Sequence, residues 1–486
     1  MAEFSRENKV ISFSLAVYII FLLNNLLYLK SIVIFSTFDS IFFGIYGITF
    51  LTWLIIRTYL AIRYRDFTKF PIQHIQDSQL PRVTAIIPCY NEGAQILSTL
   101  ENIINSDYPR NKISIIVVND GSTDDTNSYL TNFAKQLPSV QIINFSENKG
   151  KRAAMAAGFN RIRHDGLVLF VDSDTVIDRS AIKNSITHFK RDSEVAVVTG
   201  HGWVANNSFS IIAAMQEIKY YFAFRFIKAA ESHTNSVVCA SGCFAIYRVS
   251  VIRSCLNEWL NQTFLNKRAT YGDDRSLTTS VLIRGYKSIY EANSYAFTIV
   301  PISFKKYWYQ QLRWKKSWFR ETLRLSKFIH KRGALVAFNT YASILMTLIG
   351  PIAMLYFLLF PLIISNVIPI YLIAMFNLNI LFAAIFGFLL SRNDWWKGGV
   401  ALFLINPIFV LQTYYALFQL HDTSWGTREK IFESSQITNR FNSLKKRLFG
   451  AISSNFLSKL QFARFLSNFI AMTLTSLPLI IYRRYM

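Results

Sequence analysis

The sequence is poor in the residues that stabilise small secreted domains and in those that mark disordered chains. Of its 486 residues only 4 are cysteine, 11 proline and 19 glycine, and charged residues make up 17% against 52% hydrophobic residues. The cysteines form neither CxxC pairs nor a Cys/His ligand spacing, which excludes a disulfide scaffold and a zinc site and indicates reduced thiols. A chain this apolar is not disordered. Its length favours two or more structural units.

The common nucleotide-binding loops are also missing. The sequence contains neither GxxxxGK[ST] nor GxGxxG, which disfavours NTP hydrolysis and dinucleotide binding. Acidic residues are few, since 52 Lys and Arg against 29 Asp and Glu give a net charge of +23. Such an excess is typical of nucleic-acid binding, but the long uncharged segments make a lipid bilayer the better partner. No nucleic-acid partner is expected.

Uncharged segments occur near the start of the chain. Val10–Leu29 and Ser40–Ile56 approach the ~20 residues that a helix needs to cross a hydrocarbon core of ~30 Å. Basic residues flank them, including Lys9 and Arg57, and place both outer ends in the cytoplasm. We therefore predict a transmembrane hairpin over residues 1–70.

Further uncharged segments follow in the second half of the chain. Gly333–Ser391 has room for two long helices with a break near Asn366–Pro369, or for three short ones. Asn406-Pro407 interrupts Gly398–Leu420, so this segment is expected to be re-entrant or interfacial, because proline removes a helix donor. With three short helices before it, this segment would span instead. Phe465–Tyr482 is the last predicted membrane helix.

Between Pro81 and about residue 300, short β-branched segments alternate with segments of helical period. This alternation predicts an α/β domain with a parallel-type sheet covered by helices. In such sheets a ligand binds beyond the carboxyl ends of the strands. The predicted strands are Val83–Ile87, Ile113–Val118, Leu167–Val171 and Val195–Val198.

Polar clusters follow the first three of these strands. One cluster alone is typical of a turn or a helix cap, but three at successive strand ends indicate a ligand site. Two carboxylates at i and i+2 can hold a divalent ion whose remaining positions accept phosphate oxygens. The clusters are Tyr90 with Glu92, then Asp120, then Asp172 with Asp174. Lys149, Lys151 and Arg152 lie between the second and third clusters and are expected to supply positive charge to the same ligand.

Two further motifs carry candidate chemistry. Tyr271-Gly-Asp-Asp-Arg275 offers one carboxylate to take a proton from an acceptor hydroxyl, while its neighbour pairs with Arg275 or with backbone. The alternative for this motif is a capped helix start. Gln310, Arg313 and Trp314 share one helical face, where an indole beside a guanidinium suits a sugar diphosphate. An interfacial aromatic helix with snorkelling cations explains the same residues, and both interpretations can hold together.

The ordered set of motifs resembles the processive membrane family-2 glycosyltransferases, which include hyaluronan, chitin and cellulose synthases. It covers about Val83–Arg320 and one further piece, Trp425-Gly-Thr-Arg428. Hyaluronan synthases fit best, and the chitin-oligomer synthases are close relatives that usually carry Glu where Asp273 stands. The motifs are Asp120-Gly-Ser, Asp172-x-Asp174, Gly272-Asp-Asp-Arg275 and Gln310-Gln-Leu-Arg-Trp314.

Three positions depart from the hyaluronan synthase pattern. Asn119 replaces the usual first Asp of Asp-Asp-Gly-Ser, Ser276 stands where Cys is usual, and Ser241-Gly-Cys-Phe244 replaces Ser-Gly-Pro-Leu. None of these changes removes a catalytic group, but they leave the identity of the sugars open.

The resemblance implies a role for each matching residue. Asp274 would be the general base and Asp273 a supporting carboxylate, while Asp172 and Asp174 would hold Mg²⁺ or Mn²⁺. Residues for the UDP-sugar donor would be Tyr90, Glu92, Asp120, Lys151, Asp172, Asp174, Arg313, Trp425, Thr427 and Arg428. Residues for the acceptor would be Ser241, Gly242, Cys243, Gln310 and Trp314. Trp425, Thr427 and Arg428 would belong to a cytosolic gating segment.

The implied fold is a cytosolic α/β glycosyltransferase domain with a GT-A-like mixed sheet, inserted between transmembrane helices and accompanied by amphipathic interface helices. The implied protein is an integral, multi-pass plasma-membrane (inner-membrane) enzyme that polymerises UDP-sugars and exports the growing polysaccharide. Its expected parts are a hairpin at 1–70, the glycosyltransferase domain at 81–300, interface helices at 301–332, membrane and re-entrant segments at 333–420, a gating and basic region at 421–463, and a final helix at 464–486.

Several functions remain open at this point. A hyaluronan synthase would use UDP-GlcNAc and UDP-GlcA, whereas a chitin or chitin-oligomer synthase would use UDP-GlcNAc only. Another β-polysaccharide synthase or a non-processive transferase acting on a lipid would share the donor residues. A transporter or scaffold with a degenerate nucleotide domain is disfavoured, because Asp172, Asp174 and Asp274 are all present. The oligomeric state is also open.

Overall fold

The structure, a computed structural model, describes residues 37–64, 76–363, 370–390 and 392–422. Four predicted features therefore lie outside the described residues: the first membrane segment Val10–Leu29, the break near Asn366–Pro369, the gating residues Trp425, Thr427 and Arg428, and the last segment Phe465–Tyr482.

In the part of the chain that the structure describes, eight strands form one mixed sheet in the order β3-β2-β1-β4-β7-β6-β10-β5. β1, β2, β3 and β4 are mutually parallel, and β7 runs antiparallel to both of its neighbours. The sheet is thus mixed, as the resemblance implied, and not purely parallel. The strands are β1 (Val83–Cys89), β2 (Ile113–Asn119), β3 (Val140–Asn144), β4 (Leu167–Phe170), β5 (Val176–Ile177), β6 (Val195–Val204), β7 (Ala245–Arg248) and β10 (Lys287–Thr298), while β8 (Thr263–Phe264) and β9 (Lys267–Arg268) form a separate hairpin.

Helices lie on both faces of the sheet, which is why its strands are apolar on both sides. Successive side chains of a strand point to opposite faces. Ala85 and Ile87 of β1 accordingly pack in one core with Leu100, whereas Ile86 packs in the other with Phe159. The helices of this unit are α1 (Thr37–Arg63), α2 (Gln95–Ile104), α3 (Thr126–Gln136), α4 (Lys151–Phe159), α5 (Ala181–Arg191), α6 (Ile211–Phe222), α7 (Ala229–His233), α8 (Val249–Leu260), α9 (Asp273–Ile283) and α10 (Phe304–Ser326), where α1 precedes the sheet and packs on α7.

Three apolar helices follow: α11 (Ala334–Ile363), α12 (Ile370–Leu389) and α13 (Trp395–Phe418). Among the described residues, Gly44–Arg63, Ala334–Tyr356 and Trp395–Phe418 are long and apolar enough to cross a membrane. α1 contacts α11 through Trp53, whose indole N–H donates to Ser343 Oγ at 3.1 Å.

The predicted interruption at Asn406-Pro407 is wrong, because α13 is one 24-residue helix with Pro407 inside it. Neighbouring helices can support a helix around a proline. Here α12 contributes Asn379, whose side-chain oxygen accepts a hydrogen bond from Asn406 Nδ2 at 3.1 Å.

Both ends of α13 contact the α/β unit. Just before its start, Arg392 forms an ion pair with Glu217 of α6 at 3.1 Å. Just after its end, Asp422 accepts a hydrogen bond from Lys316 Nζ of α10 at 2.9 Å through its backbone oxygen. Between the two ends, Gln412 donates to the carbonyl of Trp308 at 2.9 Å. α13 is long enough to span a membrane, and it lies alongside α6 and α10.

Glu217 makes this docking dependent on pH. Its side chain is buried, and it accepts a hydrogen bond from Asn207 Nδ2 at 2.6 Å in addition to the Arg392 ion pair. Burial raises the pKa of Glu217 from 4.5 to about 7, although Arg392 and Asn207 act in the opposite direction. Between these two pKa values the folded protein binds more protons than the unfolded chain. The contribution of Glu217 to stability therefore falls as pH rises through this range.

We predict that Glu217→Gln changes this dependence. The thermal midpoint of the variant, relative to wild type, should rise between pH 5 and pH 8, because the variant has no buried carboxyl to ionise. A difference of 1 kcal/mol moves the midpoint by about 2–4 °C in a domain of this size. Glu101→Gln, at an exposed position on α2, is the control and should show no such trend. A constant difference for Glu217→Gln at both pH values would contradict the prediction.

Candidate active site

Two of the predicted carboxylates border one cavity at the carboxyl end of β4. Asp172 follows β4, and Asp274 lies in the first turn of α9. Both line the cavity, together with Lys151 at the start of α4 and Gly242. The structure thus brings together side chains that are about a hundred residues apart in sequence.

The third carboxylate, Asp174, follows Asp172 by two residues on the loop after β4. Burial raises the pKa of the Cys243 thiol to about 12, against the opposing charge of Lys228. The charges of Asp172, Asp274 and Asp174 act on this pKa in the same direction as burial. Asp172 and the candidate base Asp274 thus border one cavity, and Asp174 follows Asp172 on the same loop.

On the donor side, Lys151 forms an ion pair with the carboxylate of Asp172. Ser173, between the two candidate metal residues, donates its hydroxyl to Glu92 Oε1 at 2.6 Å. Tyr90, two residues before Glu92 on the loop after β1, is exposed. The predicted donor residues of the first and third clusters therefore share one edge of the sheet.

Asp120, which follows β2, holds the loop that leads into α4. Its two carboxylate oxygens accept backbone N–H bonds from Lys149 at 2.7 Å and from Gly150 at 3.0 Å. Burial raises the pKa of Asp120, while these two hydrogen bonds oppose the shift. Because Lys151 follows directly and begins α4, Asp120 fixes the position from which Lys151 reaches Asp172.

The adjacent carboxylates of the Gly-Asp-Asp motif have different surroundings. Asp273 is buried and pairs with Arg152 Nε at 2.8 Å. The expectation that the supporting carboxylate pairs with Arg275 or with backbone is therefore wrong, and so is the expectation that Arg152 serves the ligand. The Arg152 guanidinium is buried and also donates to the carbonyl of Trp259 at 2.9 Å. A buried cation needs such partners, so this pair anchors the start of α9.

Asp274, by contrast, is only partly buried. Its Oδ1 accepts the backbone N–H of Arg275 at 2.7 Å, and its Oδ2 accepts the thiol of Cys239 at 3.6 Å. The carboxylate is held in place without a cationic partner in these contacts. It is thus arranged as a proton acceptor facing the cavity.

The turn before α9 packs closely against α10. Gly272 has φ +75°, and an added Cβ would lie 1.9 Å from Ser317 Oγ. Arg320 of α10 donates to the carbonyl of Tyr271 at 2.6 Å. Only glycine fits this close approach, so α10 sets the position of the two aspartates.

Gln310, Arg313 and Trp314 all lie on one helix, α10, as predicted. Trp314 is 46% exposed, and its ring lies 6.3 Å from that of Tyr220. Gln310 Oε1 is buried and has no hydrogen-bond partner among the described residues. Arg313 is partly buried on the same helix. An exposed indole beside an unsatisfied amide oxygen suits a hydroxyl-rich ligand.

The predicted acceptor residues Ser241, Gly242 and Cys243 form a turn. Gly242 in this turn borders the cavity together with Asp172 and Asp274. The carbonyl of Gly242 accepts the backbone N–H of Asp172 at 3.1 Å. A Cβ added to Gly242 would lie 3.3 Å from both carboxylate oxygens of Asp172. The turn therefore packs directly on the candidate metal residue.

Asp172 and Asp174 fit a divalent ion whose coordination is completed mainly by substrate phosphate and water. Within residues 37–64, 76–363, 370–390 and 392–422, no group of three or more His, Cys, Asp or Glu side chains could enclose a metal. Mg²⁺ is typically bound by one or two carboxylates, with phosphate and water completing its shell. Asp172 and Asp174 supply this donor set, and the ion pair with Lys151 shows that Asp172 attracts a cation.

Sequence reasoning missed Ser173 and Cys239, which contact Glu92 and Asp274. Ser173 sits inside the Asp172-x-Asp174 motif, so its position was a usable signal. Cys239 lies in no motif and is brought to Asp274 by the fold alone.

Comparison with known proteins shows the family. Residues 81–317 match the sequence model of the family described as Glycosyltransferase like family 2. A hyaluronan synthase of Streptococcus pyogenes is 32% identical over 446 residues, which cover 89% of this chain and 99% of that protein. An N-acetylglucosaminyltransferase of Azorhizobium caulinodans is 35% identical over 257 residues, covering 52% of this chain and 64% of that protein.

A solved structure supports the fold. The mannosyltransferase of Pyrobaculum calidifontis, in complex with GDP-Man and Mn²⁺, has a TM-score of 0.53 at 19% identity and covers 79% of this chain and 99% of its own. At this identity the likeness concerns the fold alone, and it confirms the GT-A-like expectation. The family match and the full-length similarity lead to one conclusion: the chain belongs to glycosyltransferase family 2.

Proposed function

We propose that this protein is a processive, inverting glycosyltransferase that polymerises UDP-GlcNAc and UDP-GlcA into hyaluronan. The observation that carries the proposal is the convergence of Asp172, Lys151 and Asp274 on one cavity bordered by Gly242, with Asp174 two residues after Asp172. Similarity over 99% of a streptococcal hyaluronan synthase supports the choice of product.

In this proposal the donor diphosphate binds at the carboxyl edge of β1 and β4. Asp172 and Asp174 would hold Mg²⁺ or Mn²⁺, and such an ion would supply positive charge to offset the charge of the UDP leaving group. Lys151, already at Asp172, and Arg313 add positive charge on the phosphate side. Tyr90 and Glu92 border the nucleoside, while Asp120 keeps the Lys151 loop in place.

Asp274 takes the proton of the acceptor hydroxyl as that oxygen attacks the anomeric carbon and the bond to UDP breaks. A single displacement converts the α-linked donor into a β-linkage. A hydroxyl is a weak nucleophile at neutral pH, so both a base and alignment are needed. The Asp273–Arg152 pair serves alignment, because it anchors the helix that carries Asp274.

The acceptor end of the polymer is proposed to lie between Trp314 and the turn formed by Ser241, Gly242 and Cys243. The exposed indole offers an apolar face to a sugar ring, and Gln310 lies one helical turn before it on the same face. The donor and acceptor sugars would then meet above Asp274.

We further propose that the protein is a multi-pass membrane protein with a cytosolic catalytic domain and that it couples synthesis to export. A hydroxyl-rich polymer does not cross hydrocarbon unaided, since each unsatisfied polar group costs several kcal/mol. α1 and α11, which are long enough to span, pack beside the α/β unit and support this arrangement. Asp422, three residues before Trp425, contacts Lys316 and Tyr271, which supports a gating role for the segment that follows.

A chitin-type synthase that uses UDP-GlcNAc alone is the second candidate. The similarity to an N-acetylglucosaminyltransferase at 35% identity favours it.

We predict that the purified protein, in lipid with Mg²⁺ or Mn²⁺, forms polymer only when UDP-GlcNAc and UDP-GlcA are supplied together. The measurement is the incorporation of radiolabel from each donor, offered alone and in combination. Polymer from UDP-GlcNAc alone would replace hyaluronan with the chitin-type product. Absence of polymer under every condition would contradict the proposed function.

Asp274→Asn should lower polymerisation by about 10²–10⁴-fold, because the amide cannot accept the acceptor proton. Binding of UDP, measured by titration calorimetry, should stay within about twofold of wild type, since the donor contacts are unchanged. Asp165→Asn is the matched control, because that side chain is 77% exposed and pairs with Arg253. Near-normal turnover in Asp274→Asn would remove this residue from the role of base.

Trp314→Ala should shorten the polymer at a fixed early time and lower its yield by roughly tenfold, because the sugar loses its aromatic platform. The affinity for UDP should change much less. Trp396→Ala on α13, where the ring is 53% exposed, controls for loss of an exposed tryptophan. Equal losses in UDP affinity and in polymer length for Trp314→Ala would contradict a role in acceptor binding.

A further inference from the structure

Lys228 is a buried lysine directly behind the acceptor turn. It ends a short π-helical segment, Ala223–Lys228, that joins α6 to α7. Its side chain is largely buried, and its ammonium lies 4.4 Å from the centre of the Phe224 ring. The Nζ donates to the carbonyl of Cys239 at 2.7 Å and to Ser241 Oγ at 2.6 Å. π-Helical turns are rare and occur frequently at functional sites.

The turn that Lys228 holds connects the candidate base to the donor carboxylate. At one end, the Cys239 thiol donates to Asp274 Oδ2 at 3.6 Å. At the other end, the Gly242 carbonyl accepts the backbone N–H of Asp172 at 3.1 Å. A displacement of this turn would therefore move the predicted acceptor residues relative to both groups.

A second connection runs through Thr278 of α9. The backbone N–H of Ala240 donates to Thr278 Oγ1 at 2.9 Å, and that hydroxyl donates to the carbonyl of Asp274 at 2.7 Å. The turn is thus tied to the base through both side chain and backbone. Lys228 supports it from the opposite side.

Keeping a lysine in this place is costly, because burial disfavours its charged form. Burial lowers the pKa of Lys228, while Cys239, Cys243, Glu231 and Asp274 act to raise it. The buried ammonium thus interacts electrostatically with the base itself. A hydrophobic side chain would fill the same space but would leave the Cys239 carbonyl and the Ser241 hydroxyl without this donor.

We propose that Lys228 is a positioning residue for sugar transfer, which fixes the turn from Cys239 to Gly242 against Asp274 and so sets where the acceptor hydroxyl meets the base. The inference rests on the proposed function, since it assigns a role within that reaction. Lys228 acts through the turn and the base and does not touch the reacting atoms.

The test compares Lys228→Met and Lys228→Arg in the full-length protein in lipid vesicles. Methionine keeps an unbranched side chain of similar length, whereas arginine keeps the charge and donors. Lys228→Met should lower kcat for polymer formation by about 10- to 100-fold, because a misplacement of about 1 Å can cost on the order of 100-fold. The KM for UDP-GlcNAc and the Kd for UDP should stay within about twofold, and Lys228→Arg should recover most of the rate.

Lys219→Met is the matched control, because Lys219 lies on α6 and its ammonium donates to the hydroxyl of Tyr307 at 2.8 Å. It should retain a kcat within about threefold of wild type. Should Lys228→Met fail to fold, Ser241→Ala removes one of the two acceptors of Lys228 and should lower kcat, to a smaller degree, at unchanged KM.

Two results would overturn the inference in an active protein: a kcat for Lys228→Met close to that of wild type, or a parallel loss of UDP affinity, which would make Lys228 a general support of the fold. Absence of transfer by the wild-type protein would instead refute the proposed function, and this inference with it. The two failures are distinguished by the wild-type assay alone.

Discussion

The structure depends on bringing several negative charges into one cavity. Carboxylates that share a site repel each other and favour protonation, unless cations or N–H groups offset their charge. Here Asp172 forms an ion pair with Lys151, and Asp274 accepts a hydrogen bond from the backbone N–H of Arg275. Asp273 forms an ion pair with Arg152 outside the cavity. These contacts offset part of the negative charge that the proposed metal ligand Asp172 and the proposed base Asp274 bring to the cavity.

Each charge is placed by the end of a regular element. Asp172 follows β4, Lys151 begins α4, and Asp274 lies in the first turn of α9. Strand ends and helix starts have backbone N–H and C=O groups without partners in the sheet or helix, and these groups can hold side chains in place. The candidate site lies where several such ends meet. The close packing of Gly272 on Ser317 then fixes the start of α9 against α10, which carries Trp314.

Much of this was predictable from sequence because its signals are local. The β-branched segments gave β1, β2, β4 and β6 to within a few residues except at the end of β6, and the motifs named the residues that converge. The pairing of Asp273 with Arg152 was not predictable, since 121 residues separate them and Arg275 was a nearer cation. The continuous α13 was missed because Pro407 is a local breaking signal, whereas the packing of α13 against α12 and α6 is not visible in the local sequence. Lys228 belongs to no motif, and the role proposed for it rests only on its folded-state contacts with Cys239 and Ser241.

The placement of α13 bears on how membrane and site are connected. If α11 and α12 cross the membrane as a pair and α13 lies along the α/β unit, the chain returns to the side of the catalytic domain before Trp425. The contacts at both ends of α13, from Arg392 to Glu217 and from Asp422 to Lys316, tie this helix to the α/β unit. The helix touches α6, which leads into the Lys228 segment, and α10, which carries Trp314. Under the proposed function, a shift of α13 would therefore reach both the turn from Cys239 to Gly242 and Trp314, because α13 contacts the helices that lead to them.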